Sequence, residues 1–437
     1  MKNSYNAQTL ALHAGYDYKN SLKSRAVPIY ATTSFVFDDV KDGADLFAGK
    51  KEGFIYSRIH NPTSVVLEER LSAYHGGSAG LAVASGVASN ALLFLGLASS
   101  GRKIVASPHL YGSTASFLNH NLKRYGIETV FVELNDEKAL RKAIDKDTVL
   151  VFAESIGNPS GYILDIEKVA KIVHEYNLPL AIDNTVTPPP ILNPFDYGAD
   201  ILTYSLTKLI GGHGTHVGGI ILEKGDFDWG ANEVFKDYIN APDPAADGVN
   251  FWEVLGKPFY KEGKSAVLVN KLRGDLLRGV GPTLSPFGAH EFLKGLETLP
   301  LRAYKQCENA AAVANFLAKH PKVAWIKYPG LKDNPHYELS KKYFPKTGAG
   351  AIFSFGLKGG YESAVTFIDN LELWSHLANV LDARSLVIHP ASTTHSQLKG
   401  EALAAAGVSE DLIRLSVGLE DIDDLIKTLE KALESVK

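Results

Sequence analysis

Sulfur and an excess of either charge are what this sequence has least of. One cysteine, Cys307, and one methionine, Met1, stand in 437 residues. A lone cysteine excludes an intrachain disulfide and a multi-cysteine metal site. In its helical pattern Cys307 reads as a small buried hydrophobe. Lys and Arg (45) nearly balance Asp and Glu (49), for a net charge of −4, and no polybasic run occurs. The chain therefore lacks an electrostatic handle for nucleic acid or for an anionic membrane. The opening MKNSYNAQTLALHAG has no apolar core of the export-signal kind, so a cytoplasmic location is the expectation. A membrane-length hydrophobic run is missing too. Residues 76–101 carry no charge, but Ser85, Ser89, Asn90 and several glycines dilute them below the criterion for a span of about 20 apolar residues. That stretch reads instead as strand, glycine turn and buried helix. Internal repeats and low-complexity tracts are absent as well.

What is present is an α/β rhythm. The length allows two domains, and 45% hydrophobic with 22% charged residues is ordinary for a globular protein. Apolar runs at 79–84, 103–106, 129–132, 148–153, 179–183 and 201–204 read as strands. Helical patterns at 64–74, 87–97, 114–125, 136–144 and 166–176 separate them. Strands alternating with helices predict a mainly parallel sheet sandwiched by helices. Residues 225–263 break the rhythm with Pro, Gly and aromatics and read as an insertion. Helices are expected at 267–278 and around 290–316, then a smaller α+β domain with strands at 323–326 and 351–355 and helices at 362–370 and 422–436. This divides the chain into an N-terminal arm (1–60), a large domain (61–285), and a linking helix with a small C-terminal domain (286–437). Residues 1–20 fit a wrapping arm and a disordered terminus equally well.

Polar residues follow these strands at one end: Ser85, Tyr111, Asn158, Asp183, Ser205 and Lys208. In an open α/β sheet that carboxyl edge is where ligands bind. Residues 199–219, ADILTYSLTKLIGGHGTHVGG, concentrate the signal. A buried strand runs into Ser205, Thr207 and Lys208 and then a glycine-rich turn. Two hydroxyls suit a phosphate, and a desolvated lysine suits an aldehyde. Gly86 and Val87, opening a helix after Ser85, offer backbone N–H groups to an anion. Together these point to pyridoxal 5′-phosphate (PLP), whose ring nitrogen calls for an acidic partner. The pair His213 and His216 lacks a third ligand, so no metal site is expected.

The motifs YSRIHNPT (56–63), SGVAS (85–89), LYGST (110–114), ESIGNPSG (154–161), IDNT (182–185), SLTKLIGGHGT (205–215), SPFGAHEFLKGLETLPLR (285–302), IHPASTTHSQL (388–398) and IRLSVGLED (413–421) carry a resemblance. Across nearly its whole length the chain resembles the Cys/Met-metabolism family of fold-type I PLP enzymes. Its length and the 225–263 insertion are most similar to the O-acetylhomoserine sulfhydrylase branch. The resemblance implies an aspartate-aminotransferase-like fold with Lys208 as the cofactor-bearing lysine and proton shuttle, and Asp183 on the pyridine nitrogen. Ser85, Gly86, Val87, Ser205 and Thr207 would hold the phosphate, Tyr111 would stack on the ring as a second catalytic residue, and Asn158 would meet the 3′-oxygen. Arg414 would clamp the substrate carboxylate, with Asn379 beside it. Tyr56 and Arg58 would reach the phosphate from a neighbouring subunit, Tyr56 also edging the substrate. The resemblance thus implies a homo-oligomer with dimer-built sites, expected to be a homotetramer.

The implied reaction is γ-replacement on O-acetyl-L-homoserine by sulfide or a related sulfur donor, giving L-homocysteine and acetate in methionine biosynthesis. A γ-lyase, a cystathionine γ-synthase or a γ-substitution with another nucleophile fits the same cofactor residues. A non-catalytic binding protein on the same fold is the remaining alternative. Five positions depart from the sulfhydrylase pattern: His60, Val87, His216, His290 and Leu381, the last in place of a glycine. They bear on nucleophile and leaving group rather than on the cofactor. His389 and His395 read as structural or substrate-edge groups.

Overall fold

A computed structural model describes residues 5–246, 248–394, 396, 400, 403 and 407–437. Seven strands form its main sheet: β1 Ala79–Val83, β2 Lys103–Ala106, β3 Glu128–Phe131, β4 Thr148–Glu154, β5 Leu180–Asp183, β6 Ile201–Ser205 and β7 Gly219–Glu223. Their spatial order is β1-β7-β6-β5-β4-β2-β3. Strands β2 to β6 pair in parallel, while β7 runs antiparallel to both β1 and β6. Every residue of β4 and β7 is buried, as expected of strands covered by helices on both faces. The sequence pattern marked β1 to β6 and missed β7, whose five residues directly follow the glycine-rich turn.

Helix Pro62–His75 starts where its sequence dictates. Asn61 caps it through Thr63 N–H, Pro62 takes the first position, and Gly76 closes it in the left-handed conformation. Two expected helices are wound unevenly. Residues 112–125 run as α-helix Gly112–Ser116, a π-helical turn Phe117–Asn121 and a 3-10 turn Leu122–Tyr125, and residues 267–280 also alternate α and π turns. The apolar period survives this, since Leu118 and Leu122 stay buried. Near the N-terminus residues 5–14 are ordered and held to their own chain. Helix Ala7–His13 docks on Pro62–His75 and on the long helix, burying Leu10 and Ala11, and Arg70 Nε donates to the Ala14 carbonyl at 2.9 Å.

The C-terminal sheet contains β8 Val323–Lys327, β9 Ile352–Leu357, β10 Ser375–His376, β11 Leu386–Ile388 and β12 Leu412–Ser416, in order β8-β9-β12-β11-β10. All its pairings are antiparallel except β10 with β11. Strands β10 to β12 went unread in the sequence, two of them being only two and three residues long. The 34-residue helix Pro286–Lys319 packs against both the N-terminal segment and the C-terminal layer. Where 225–263 interrupts the alternation, the chain leaves at Gly225 and returns at Ser265, whose N–H donates to the Gly225 carbonyl at 3.0 Å. Between those points Trp229, Phe227 and Phe235 pack edge to face, and Asp243 pairs with Lys271 of the helix that follows, both buried. Among the described residues no helix is long and apolar enough to cross a membrane.

Candidate active site

Because β1 and β4 to β6 point the same way, their carboxyl ends open into one cavity of about 290 Å³, which Ala378–Val380 and Arg414 close from the C-terminal domain. All but two of the residues singled out from the sequence line it: Ser85, Gly86, Val87, Tyr111, Asn158, Asp183, Ser205, Thr207, Lys208, Asn379 and Arg414. Tyr56 and Arg58 lie elsewhere. The Arg58 guanidinium sits 5.3 Å from the centre of the Tyr56 ring and donates to the Arg278 carbonyl, and Tyr56 is 40% exposed.

Lys208 projects from the turn after β6, and that turn is held from three directions. Its own Gly212 N–H returns to the Lys208 carbonyl (2.7 Å), and Ala383 N–H donates to the Gly212 carbonyl (2.7 Å). Arg302 of the long helix donates to the carbonyls of Leu209 (2.8 Å) and Ile210 (3.1 Å). The amine donates to Asn379 Oδ1 at 2.5 Å. Burial, then the nearby Arg414 charge, lower the Lys208 pKa to about 8, because both disfavour the ammonium.

Asp183 ends β5 with its carboxylate fully oriented. Thr185 donates to it from the hydroxyl (2.6 Å) and from N–H (3.1 Å), and Asn90 Nδ2 donates at 3.2 Å. Burial still raises its pKa, since these neutral donors only partly offset desolvation. A carboxylate held this way gains most from a cation entering the cavity. Asn90 Oδ1, which also lies at the cavity, is buried without a hydrogen-bond partner.

At the opposite end Ser85 caps the twelve-residue helix Gly86–Leu97, accepting from Ala88 N–H at 3.0 Å. The close approach of that helix to β6 requires glycine: a Cβ on Gly86 would fall 2.6 Å from Ser205 Cβ. The helix N-terminus and the Ser205 and Thr207 hydroxyls thus share one corner, a polar and partly positive lining suited to phosphate.

Arg414, on β12, donates to the Asn379 carbonyl (3.1 Å) and to Asn158 Oδ1 (3.4 Å). Its pKa falls to about 10 through burial. The Asn379 carbonyl is therefore engaged, leaving its backbone N–H as the group able to meet a carboxylate. Five polar cavity residues were not singled out from the sequence as site residues: Asn90, Thr114, Glu154, Thr185 and Thr394. Glu154 and Thr185 sit inside quoted motifs next to recognised residues, so adjacency was the available signal. Thr114 and Thr394 likewise fall inside quoted motifs, whereas Asn90, just past SGVAS, is turned inward by its helix and carried none.

The departures separate cleanly. Val87 lines the cavity. His60 is shielded beside the Phe54 ring (5.4 Å), and burial, with Arg273 second, lowers its pKa to about 4. His216 packs edge-on against Phe292, 6.4 Å between ring centres. His290 faces a cleft beneath the N-terminal segment. Leu381 is fully buried with φ of 60° and donates its N–H to Ser416 Oγ at 2.6 Å. His389 is structural, bonded to Ser392 and to the Glu410 carbonyl. His395 lies outside the described residues. Burial pushes the Cys307 thiol up to about 12.

A sequence model of the Cys/Met metabolism PLP-dependent enzymes matches residues 8–434. The chain is 47% identical to an O-acetyl-L-homoserine sulfhydrylase of Leptospira meyeri, covering 100% of this chain and 98% of that one. It is 45% identical to a homocysteine synthase of Schizosaccharomyces pombe, covering 98% of each. A crystal structure described as an O-acetylhomoserine (thiol)-lyase of Campylobacter jejuni superposes with a TM-score of 0.92 at 40% identity, over 99% of this chain and 100% of that one. It carries an N′-pyridoxyl-lysine-5′-monophosphate residue.

Proposed function

We propose, for a chain that belongs to the Cys/Met metabolism family of PLP-dependent enzymes, that it exchanges the acetate of O-acetyl-L-homoserine for sulfide, releasing L-homocysteine. The observation that carries this reading is the gathering of Lys208, Asp183, Arg414 and a helix N-terminus around one cavity. When bound, PLP supplies an aldehyde for the substrate amine and an electron sink for the charge left on Cα.

The remaining work falls to side chains. The corner of Ser85, Gly86, Val87, Ser205 and Thr207 holds the phosphate. Asp183 would hold a proton at the ring nitrogen, and the Tyr111 ring and the Asn158 amide would hold the ring and its 3′-oxygen. Arg414 binds the substrate α-carboxylate, where a guanidinium offers two parallel N–H donors, and Asn379 N–H adds a third. Lys208 moves the protons: it takes one from Cα, helps remove one from Cβ as acetate leaves Cγ, and returns them after sulfide adds. A pKa near 8 lets the same amine accept and donate in turn.

Tyr56 and Arg58 complete the phosphate corner of a neighbouring subunit, in a homo-oligomer built from dimers and working in the cytoplasm. Their distance from the cavity of their own chain supports this division. The large domain then covers 61–285 and the small one 286–437, with 1–60 at the subunit boundary.

The test is an absorbance spectrum followed by assays with O-acetyl-L-homoserine, with and without sulfide. An absorbance band from lysine-bound cofactor, lost in Lys208→Ala, together with sulfide-dependent homocysteine, is the expected result. A band without homocysteine overturns the nucleophile. No band after reconstitution overturns the enzyme.

A further inference from the structure

Glu154 is the buried carboxylate at the cavity that this mechanism leaves idle. It ends β4 and is 7% exposed. In the parallel β4–β5 register it stands directly beside Asp183. The groups acting on it are burial, Asp183 and two backbone N–H groups, none of them a cation. A carboxylic group next to another in an enclosed site is expensive to keep. A merely structural side chain here could be apolar at lower cost, so its partners matter.

Those partners are informative. One is the backbone N–H of Tyr111, which donates to Glu154 Oε1. The other is the backbone N–H of Asn158, which also faces the carboxylate. Tyr111 lies on the loop after β2 and Asn158 on the loop after β4 itself, and between them they carry the two contacts assigned to the cofactor ring. The Tyr111 side chain is 47% exposed, so packing does little to fix its orientation. Its backbone anchor fixes the point from which the ring leaves the main chain. Two loops that the sheet brings side by side thus both meet one buried carboxyl group, the Tyr111 N–H bonding Oε1 and the Asn158 N–H facing it.

We propose that Glu154 is a positioning residue that locks the Tyr111 and Asn158 loops against the cofactor ring. The proposal rests on the reading of the cavity as a PLP site. It extends that reading to a residue which touches neither substrate nor reacting atoms.

The experiment compares Glu154→Gln and Glu154→Ala with the wild-type holoenzyme, by cofactor dissociation constant, circular dichroism of the cofactor band and steady-state kinetics. Losing both acceptors in E154A is expected to weaken cofactor binding about tenfold, to reduce the band's dichroism per bound cofactor, and to lower kcat more than it raises KM. In E154Q the amide keeps one acceptor and turns a second N–H contact into donor against donor. Its effects are expected to be smaller, about threefold, with the same signs. The E154A effect is expected to shrink in a Tyr111→Ala background, because the ring it orients is gone.

Wild-type cofactor affinity and wild-type dichroism in either variant, with only the melting temperature lowered, overturn the proposal. So does full additivity with Tyr111→Ala. If E154A does not fold, E154Q carries the same decision. Wild-type protein that shows no cofactor band at all overturns the cofactor reading itself, which separates that failure from this one.

Discussion

The carboxyl edge of the large sheet and the stretch 54–63 carry motifs of similar strength in the sequence, yet the fold treats them differently. At the sheet edge Ser85, Asp183, Ser205 and Lys208, far apart in the chain, meet around one cavity and are braced by their neighbours. Tyr56 and Arg58, in a motif as specific, sit outside it with one side chain laid over the other. The first group is placed by strand order, which the chain fixes alone. The second is held by local turn bonds, Ile59 and His60 N–H to the Tyr56 carbonyl at 3.0 and 3.1 Å, and neither side chain lines the cavity. A motif reports what a residue is suited to do. Topology decides whether the same chain uses it.

The largest effect expected is at the sheet edge: Lys208→Ala should lower turnover by about 10³-fold or more, since it removes both the cofactor tether and the acid–base group. Residual activity within tenfold of wild type would break the contrast from that side. For the other region, Arg58→Ala and Lys208→Ala proteins, each inactive alone, should regain activity when unfolded and refolded together. Random pairing in a dimer leaves about one quarter of sites intact if Arg58 acts across subunits. No recovery would place Arg58 in its own chain's site.

A gentler probe follows from Lys208. Capture of PLP by the apoprotein needs the neutral amine, so its rate should rise about tenfold per pH unit below pH 8 and level off above. Burial is the larger cause of the lowered pKa and Arg414 the second, so Arg414→Gln should move the midpoint upward without returning it to an ordinary lysine value. Stopped-flow absorbance reads both.

The smallest expected effect concerns Leu381. Of the five non-glycine residues with positive φ among the described residues it alone is buried; Leu22, Lys23, Asn177 and Leu373 are all exposed. A left-handed backbone costs a branched residue about 1 kcal/mol or more, while a core leucine repays it through burial. Leu381→Gly should therefore be more stable than Leu381→Ala by about 1 kcal/mol, the reverse of their order in regular structure. Urea melts giving Ala the advantage would show that no strain is stored there.

Much of this was readable from the chain because strands of the parallel sheet are near-continuous apolar runs and their polar followers stand at strand ends. Lys208, Asp183 and Ser85 were legible for that reason. Strand β7 was not: GIILE is short, abuts a glycine turn and has no helix before it. Nor were β10 to β12, whose pairing across the C-terminal sheet, as of Ile388 with Arg414, is set by tertiary packing rather than by a local pattern. Glu154 escaped for another reason. A carboxylate ending a strand ordinarily faces water, and only its register beside Asp183 reveals otherwise.

The reversed direction of β7 has a consequence for how such a chain tolerates change. It starts beside Ser205, at the rim holding the cavity, and ends beside Ile201 and Ala79, at the far rim. Residues 225–265 thus emerge one strand length, roughly 16 Å, from the chemistry, and their ends are clasped by a single backbone hydrogen bond. Trp229, Phe235, Ile239 and Trp252 root the segment in the core, but none of its described residues lines the cavity, so a change of length in its exposed turns acts at the rim opposite the chemistry.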